Sequence, residues 1–253
     1  MSPDTPPARG VYVPTSHDTS HNTGHDTAST AHGTAHDVAA VIKPLLRGWL
    51  HLGMFPLCLL GGLLLVLIAD SATERVVTVV FTVCTSALFG VSATYHRGRW
   101  SERTRILMKR LDHSSIFLLI AGSYTPYAVL LLPTDQARLL LGLVWGGAVL
   151  GILFRVFWVG APRWLYTPIY IVLGWTAVWF LPGLYSDGGL LVVLLLGAGG
   201  LLYSGGAVVY ALKRPDPSPR FFGFHEIFHA ATVLAFACHY AGVALVVTGT
   251  LPG

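Results

Sequence analysis

Long apolar segments alternate with short polar connections along most of this chain. Seven apolar segments stand out: Leu50–Ala69, Val76–Tyr95, Ser114–Leu132, Leu139–Val159, Leu165–Leu181, Leu190–Leu212 and Phe224–Val247. A helix needs about 20 such residues to cross the hydrocarbon core of a bilayer. Because the connections between the segments are short, the pattern predicts one all-α bundle of seven transmembrane helices over residues 45–253.

The first 44 residues have a different composition, rich in Pro, Thr, Asp, Gly and Ser and with little to bury. Such a composition is typical of a disordered arm. Five histidines recur within it at positions His17, His21, His25, His32 and His36. A histidine-rich tract can capture a metal ion weakly, and a low-complexity tail without a chemical role is the other interpretation.

The overall composition agrees with a membrane protein, since 53% of the 253 residues are hydrophobic and only 11% are charged. All but Arg75 and Arg138 of the 16 lysines and arginines lie before the first span, in alternate connections or, for Arg155, at the end of the span that leads into one of these connections. Because basic residues accumulate in cytoplasmic loops, we expect a cytoplasmic N-terminus and an outside C-terminus, in a multi-pass protein of the plasma membrane. An anionic lipid surface explains the basic excess without nucleic acid as a partner.

Candidate chemistry is concentrated at three helix ends. His225 and His229 are four residues apart at the start of the last span, and therefore share one helix face. Ser92 and His96 have the same spacing at the end of the second span, and Asp112 precedes the third. The predicted orientation brings all five side chains to the cytoplasmic half of the bundle.

Three imidazoles with an open fourth position form the usual site of a catalytic Zn²⁺, which activates a water molecule. Asp112 and Ser92 would then orient that water or a ligand imidazole. Simpler interpretations remain open for single residues, since an Asp before an apolar run can cap a helix and a His at a helix C-terminus interacts favourably with the dipole.

Taken together, these motifs resemble the hemolysin III family, the bacterial branch of the progestin and adipoQ receptor superfamily. The similarity spans about residues 45–250 and is carried by Ser92-x-x-x-His96, Leu111-Asp112-His113, the segment 121–126 (Ala-Gly-Ser-Tyr-Thr-Pro) and His225-x-x-x-His229. It implies a seven-helix bundle that holds Zn²⁺ through His96, His225 and His229, with Ser92 and Asp112 beside the ion. It also implies a relationship to membrane hydrolases of lipid amides, such as alkaline ceramidases.

The run from His225 to His229 also matches the H-E-x-x-H motif of zinc proteases, in which the Glu is the general base. An intramembrane protease of this kind would take an Asp ligand from a later helix, and no acidic residue follows Glu226. We therefore expect Glu226 to favour the N-terminal turn of its helix or to pair with a cytoplasmic Arg.

Other polar residues in the spans receive weaker predictions. His239 lies 14 residues after His225, about 21 Å along the helix, which is too far to share the ion. We expect it to mark a polar cavity that runs from the metal, or to be a buried histidine with local hydrogen bonds. His51, Tyr166 and Tyr210 are expected at the membrane interface.

Three functions follow from these patterns. A zinc-dependent hydrolase of lipid amides or esters is favoured, with membrane lipid as its partner. A pore-forming, cytolytic protein and a receptor-like sensor with structural zinc are the alternatives. The spans lack the polar stripes of a water-filled pore. The sequence does not predict an oligomeric state.

Overall fold

The computed structural model describes residues 44–218 and 220–250. Seven α-helices and one short 3₁₀ helix make up this part of the chain, and no β-strand occurs in it. In chain order they are α1 Trp49–Ile68, α2 Ala72–Arg97, α3 Glu102–Leu131, α4 Thr134–Phe157, α5 Arg163–Gly174, the 3₁₀ helix Thr176–Phe180, α6 Leu181–Leu212 and α7 Phe224–Thr248. The predicted all-α fold is confirmed, whereas the predicted disordered arm lies, except for residue 44, outside the described residues.

Six helical stretches in the described ranges are long and apolar enough to cross a membrane. Five of them are α1 to α4 and α7, and the sixth is the 50-residue stretch Arg163–Leu212, which contains α5, the 3₁₀ helix and α6. Gly189 interrupts this stretch with φ 71° and ψ 175°, a conformation that glycine adopts without steric strain. The interruption falls between the predicted fifth and sixth spans. The total of seven transmembrane spans stays a prediction.

The outward faces of the helices are covered with leucine. Leu60, Leu67, Leu150 and Leu201 are each at least 65% exposed. Large exposed apolar surface is rare on a soluble monomer, but it suits a helix that faces lipid. The distribution therefore agrees with a bundle immersed in a bilayer.

Helix α3 is the centre of the bundle. Of its apolar 18-residue segment, 72% is buried, against 56% or less of the corresponding segment in the other spans. The segment 121–126, one of the motifs that carry the family resemblance, is buried throughout. A Cβ atom added to Gly122 would lie 2.3 Å from the Cβ of Cys84, so glycine allows α2 and α3 to approach closely. This contact holds α2, which carries His96, against α3, which carries Asp112.

Candidate metal centre

Three histidines from two helices converge at one end of the bundle. His96 belongs to the last turn of α2, whereas His225 and His229 belong to the first turns of α7. One ring nitrogen of each lies within 4.8 Å of the others, and the Nε2 atoms of His96 and His225 are 3.2 Å apart. His96 and His229 are buried and His225 is half-buried.

This arrangement fits a zinc ion. Ligand nitrogens about 2.0 Å from a tetrahedral zinc are separated by about 3.3 Å from one another, close to the observed Nε2 to Nε2 distance. Imidazole is also a ligand that zinc prefers. The three side chains that the sequence analysis selected are therefore close enough together to share one ion.

The first turn of α7 is fixed by acidic side chains. Glu226 Oε2 accepts a hydrogen bond of 2.9 Å from the backbone N–H of Gly223, and Asp216 Oδ1 accepts one of 3.0 Å from Phe224. These bonds satisfy N–H groups that have no partner within the helix. They hold in place the turn that carries His225.

Glu226 also pairs with Arg47, which precedes α1. The Arg47 Nε donates to Glu226 Oε1 at 2.8 Å, and the Glu226 side chain is only 1% exposed. Both expected contacts of Glu226, with its helix N-terminus and with a basic residue, are present. Its two oxygens are thus engaged by Arg47 and Gly223, which disfavours the role of general base in a protease.

Asp112 and Ser92 lie beside the three histidines. The Asp112 carboxylate is 3.9 Å from His96 Nε2 and also 3.9 Å from His113 Nδ1, and the Ser92 hydroxyl is next to it. A separation of 3.9 Å is too long for a direct hydrogen bond. The Asp112 carboxylate thus lies beside the His96 imidazole.

A cavity of about 240 Å³ extends from this site into the bundle. His225, His229 and Asp112 line it together with His239. Most of the remaining wall is apolar or aromatic, including Leu88, Leu119, Ile120, Tyr170, Val193, Leu196 and Phe228. The cavity connects the three-histidine site with His239.

His51 is closer to the site than the sequence analysis expected. It is only 2% exposed, and its ring stacks on the ring of His229 with 3.8 Å between the centroids and 15° between the planes. The sequence carries no signal for this position, because helix α1 is apolar on every side and does not show which face turns inward. His51 fixes one side of the His229 ring.

Tyr210 was also missed, because its position near a helix end suggested an interfacial anchor. Its hydroxyl donates to His113 Nε2 at 3.4 Å, and His113 Nδ1 donates to the Lys109 carbonyl at 2.8 Å. The Tyr210 ring lies 5.5 Å from that of His225 and lines the cavity. Tyr210 therefore belongs to the wall of the site.

Comparisons with known proteins agree with this architecture. A family model described as "Haemolysin-III related" matches residues 39–240. The Hemolysin-3 homolog of Bacillus subtilis (strain 168) is 34% identical over 144 residues, which cover 57% of this chain and 67% of that protein. The Hemolysin-3 of Bacillus cereus is 38% identical over 104 residues, which cover 41% of this chain and 48% of that protein, so the matched region spans about half of that relative.

The apolar helices and the family match together define a multi-pass integral membrane protein. The chain belongs to the Haemolysin-III related family, as its motifs predicted.

Replacement of Arg47 by Met should destabilise the protein by about 2 kcal/mol, because it leaves the buried Glu226 carboxylate without its cation. The free energy of unfolding in mixed micelles measures this effect. Arg99→Met, at an exposed position, is the matched control and should cost little. An equal effect of the two substitutions would contradict a structural role of the Arg47 pair.

Proposed function

We propose that this protein is a zinc-dependent hydrolase that cleaves an acyl amide or ester of a membrane lipid. The observation that carries the proposal is the convergence of three imidazoles on a largely apolar cavity inside a membrane bundle. His96, His225 and His229 would hold the ion. A zinc ion in a site of three histidines activates water for attack on a carbonyl carbon.

The other residues of the site would transfer protons and hold the reacting groups in position. Asp112 accepts a proton from the attacking water and returns it to the amine or alcohol that leaves when the carbon–nitrogen or carbon–oxygen bond breaks. Ser92 holds the Asp112 carboxylate in place. The apolar wall of the cavity binds the acyl chain and excludes bulk water from the reaction.

The proposal includes the predicted topology. Division of the stretch 163–212 at Gly189 gives seven spans, with the N-terminus in the cytoplasm and the bundle in the plasma membrane. The metal centre then lies near the cytoplasmic surface, and lipid enters the cavity from the side.

Fatty acid release from defined lipids tests the proposed activity. Purified protein in nanodiscs should release fatty acid from N-acyl or O-acyl lipids, lose that activity when a chelator removes the metal, and regain it when zinc is added. The inactive protein from which the chelator has removed the metal should keep its helical content. Turnover that continues after verified metal removal would contradict the mechanism.

Membrane permeabilisation is the second candidate, and the names of the two Bacillus relatives favour it. Within the described helices the polar site residues gather at one end of the bundle, whereas a water-filled pore needs polar residues along its length. Dye release from liposomes distinguishes the two candidates. Release that is unaffected by chelation, without release of fatty acid, would favour the permeabilising function.

A further inference from the structure

A buried arginine at the metal-centre end of the bundle lacks an acidic partner. Arg155, in the last turn of α4, is only 1% exposed. Arg155 Nη1 donates a hydrogen bond of 3.4 Å to the Trp158 carbonyl, and its Nε has no partner among the described residues. Since a guanidinium has five N–H donors and a buried unpaired charge is costly, an anion would stabilise this side chain.

Two further cations lie near Arg155. Arg163, at the start of α5, donates from Nη1 to the Tyr210 carbonyl at 3.0 Å, and Lys109 of α3 is within electrostatic range of both arginines. No ion pair within the described ranges includes any of these three residues. We call Lys109, Arg155 and Arg163 the basic cluster.

Two tyrosines connect the basic cluster to the cavity. The Arg155 guanidinium lies 4.3 Å from the ring centroid of Tyr166, and that of Arg163 lies 4.3 Å from the ring centroid of Tyr210. The two hydroxyls are 3.4 Å apart, and both rings line the cavity. The basic cluster is thus separated from the cavity by one layer of aromatic side chains.

The backbone adds further positive potential at this place. Helix α5 begins at Arg163, next to Pro162, and no side chain caps its N-terminus. Uncapped N–H groups and the helix dipole favour an anion there. The helix end and the basic cluster therefore favour the same ligand charge.

The accumulation of basic residues in cytoplasmic loops does not account for Arg155. Arginines that set the membrane topology from a cytoplasmic loop keep the charged group in water, as the exposed Arg99 and Arg103 do. Arg155 is buried, and the contacts that stabilise its charge within the described part of the chain are an aromatic ring and one carbonyl. A ligand with negative charge would supply the missing partner.

We propose that the basic cluster binds a phosphate group, carried by an anionic lipid headgroup or present as free phosphate. Arginine forks match the geometry of phosphate oxygens, and Lys109 supplies a third positive charge. An acidic lipid bound here has its headgroup at the rim of the bundle and its apolar part next to the cavity. This inference concerns binding, and it does not depend on hydrolysis.

Binding of phosphate-class probes to purified full-length protein in neutral detergent tests the site. The probes are dihexanoyl phosphatidic acid, its uncharged parent dihexanoylglycerol, and inorganic phosphate, each titrated by calorimetry. Arg155→Gln should weaken phosphatidic acid binding by about tenfold or more, because a charged hydrogen-bond donor is lost. Arg163→Gln should have a similar effect, and Arg155→Lys a smaller one.

Arg103→Gln removes one exposed positive charge and is the matched control, with an expected change of less than about twofold. Tighter binding of phosphatidic acid than of inorganic phosphate supports a lipid headgroup, and equal binding supports free phosphate. The proposal is overturned if dihexanoylglycerol binds as tightly as phosphatidic acid, or if no phosphate-class probe binds. It is also overturned if Arg163→Gln, at a half-buried position where folding should be retained, binds phosphatidic acid like Arg103→Gln.

Discussion

His229→Ala should abolish both metal binding and lipid hydrolysis. His229 is 2% exposed, and its loss leaves two of the three imidazoles, which is too few to hold a zinc ion tightly. We expect the metal content to fall from about one ion per chain to below about one tenth, and turnover to fall by about 1,000-fold or more. Elemental analysis and fatty acid release measure the two effects on the same sample.

The matched control for this substitution is Thr248→Ala, at the exposed far end of the same helix. It should leave metal content and turnover unchanged. Equal helical content of the two variants would show that His229→Ala still folds. A His229→Ala protein that keeps its full metal content would mean that this histidine is not a ligand.

Asp112→Asn should separate metal binding from catalysis. Asp112 is not in the group of three side chains whose ligand atoms all lie within 4.8 Å of one another, so it is not itself required to hold the ion, and an amide cannot accept the proton of a water molecule. We expect nearly full metal content and a decrease in kcat of about 100- to 10,000-fold, the range for removal of a general base. Metal analysis and steady-state kinetics together test the assignment.

Ser92→Ala should lower kcat less than Asp112→Asn does. It removes one hydrogen-bonding group beside Asp112 and should lower kcat by about tenfold. Loss of metal in Asp112→Asn would make Asp112 a ligand, and unchanged turnover would remove it from the mechanism. Either result would require a different proton acceptor near the cavity.

The apolar pattern predicted the helices well where a helix is apolar throughout. The first predicted span, Leu50–Ala69, is shifted by one residue from α1, Trp49–Ile68. The third predicted span, Ser114–Leu132, misses the first turns of α3, which begins at Glu102. These turns are polar, and hydropathy alone cannot distinguish a helix that continues into the aqueous interface from a loop.

The pairing of His225 with His229 was readable from their spacing, because residues four apart share a helix face. The approach of His96 required the topology, since this residue lies 129 positions earlier in the chain. His51 could not be placed in the same way. Helix α1 is apolar on every side, and such a sequence does not show which face turns inward.

The contacts of Arg155 could not be predicted from the sequence either, because a basic residue near the end of a span is normally interpreted as a topological signal. Only the packing shows that it is buried against Tyr166. The sequence thus predicted three histidines that lie together, whereas the side chains around them depend on how the helices rotate and pack.

Metal analysis of the purified wild-type protein and of His96→Ala is the most direct test of the central claim. We expect about one zinc ion per chain in the wild-type protein and almost none in the variant, since His96 supplies one of three nitrogens. A folded wild-type protein without bound metal, after purification with zinc and without chelators, would contradict the account.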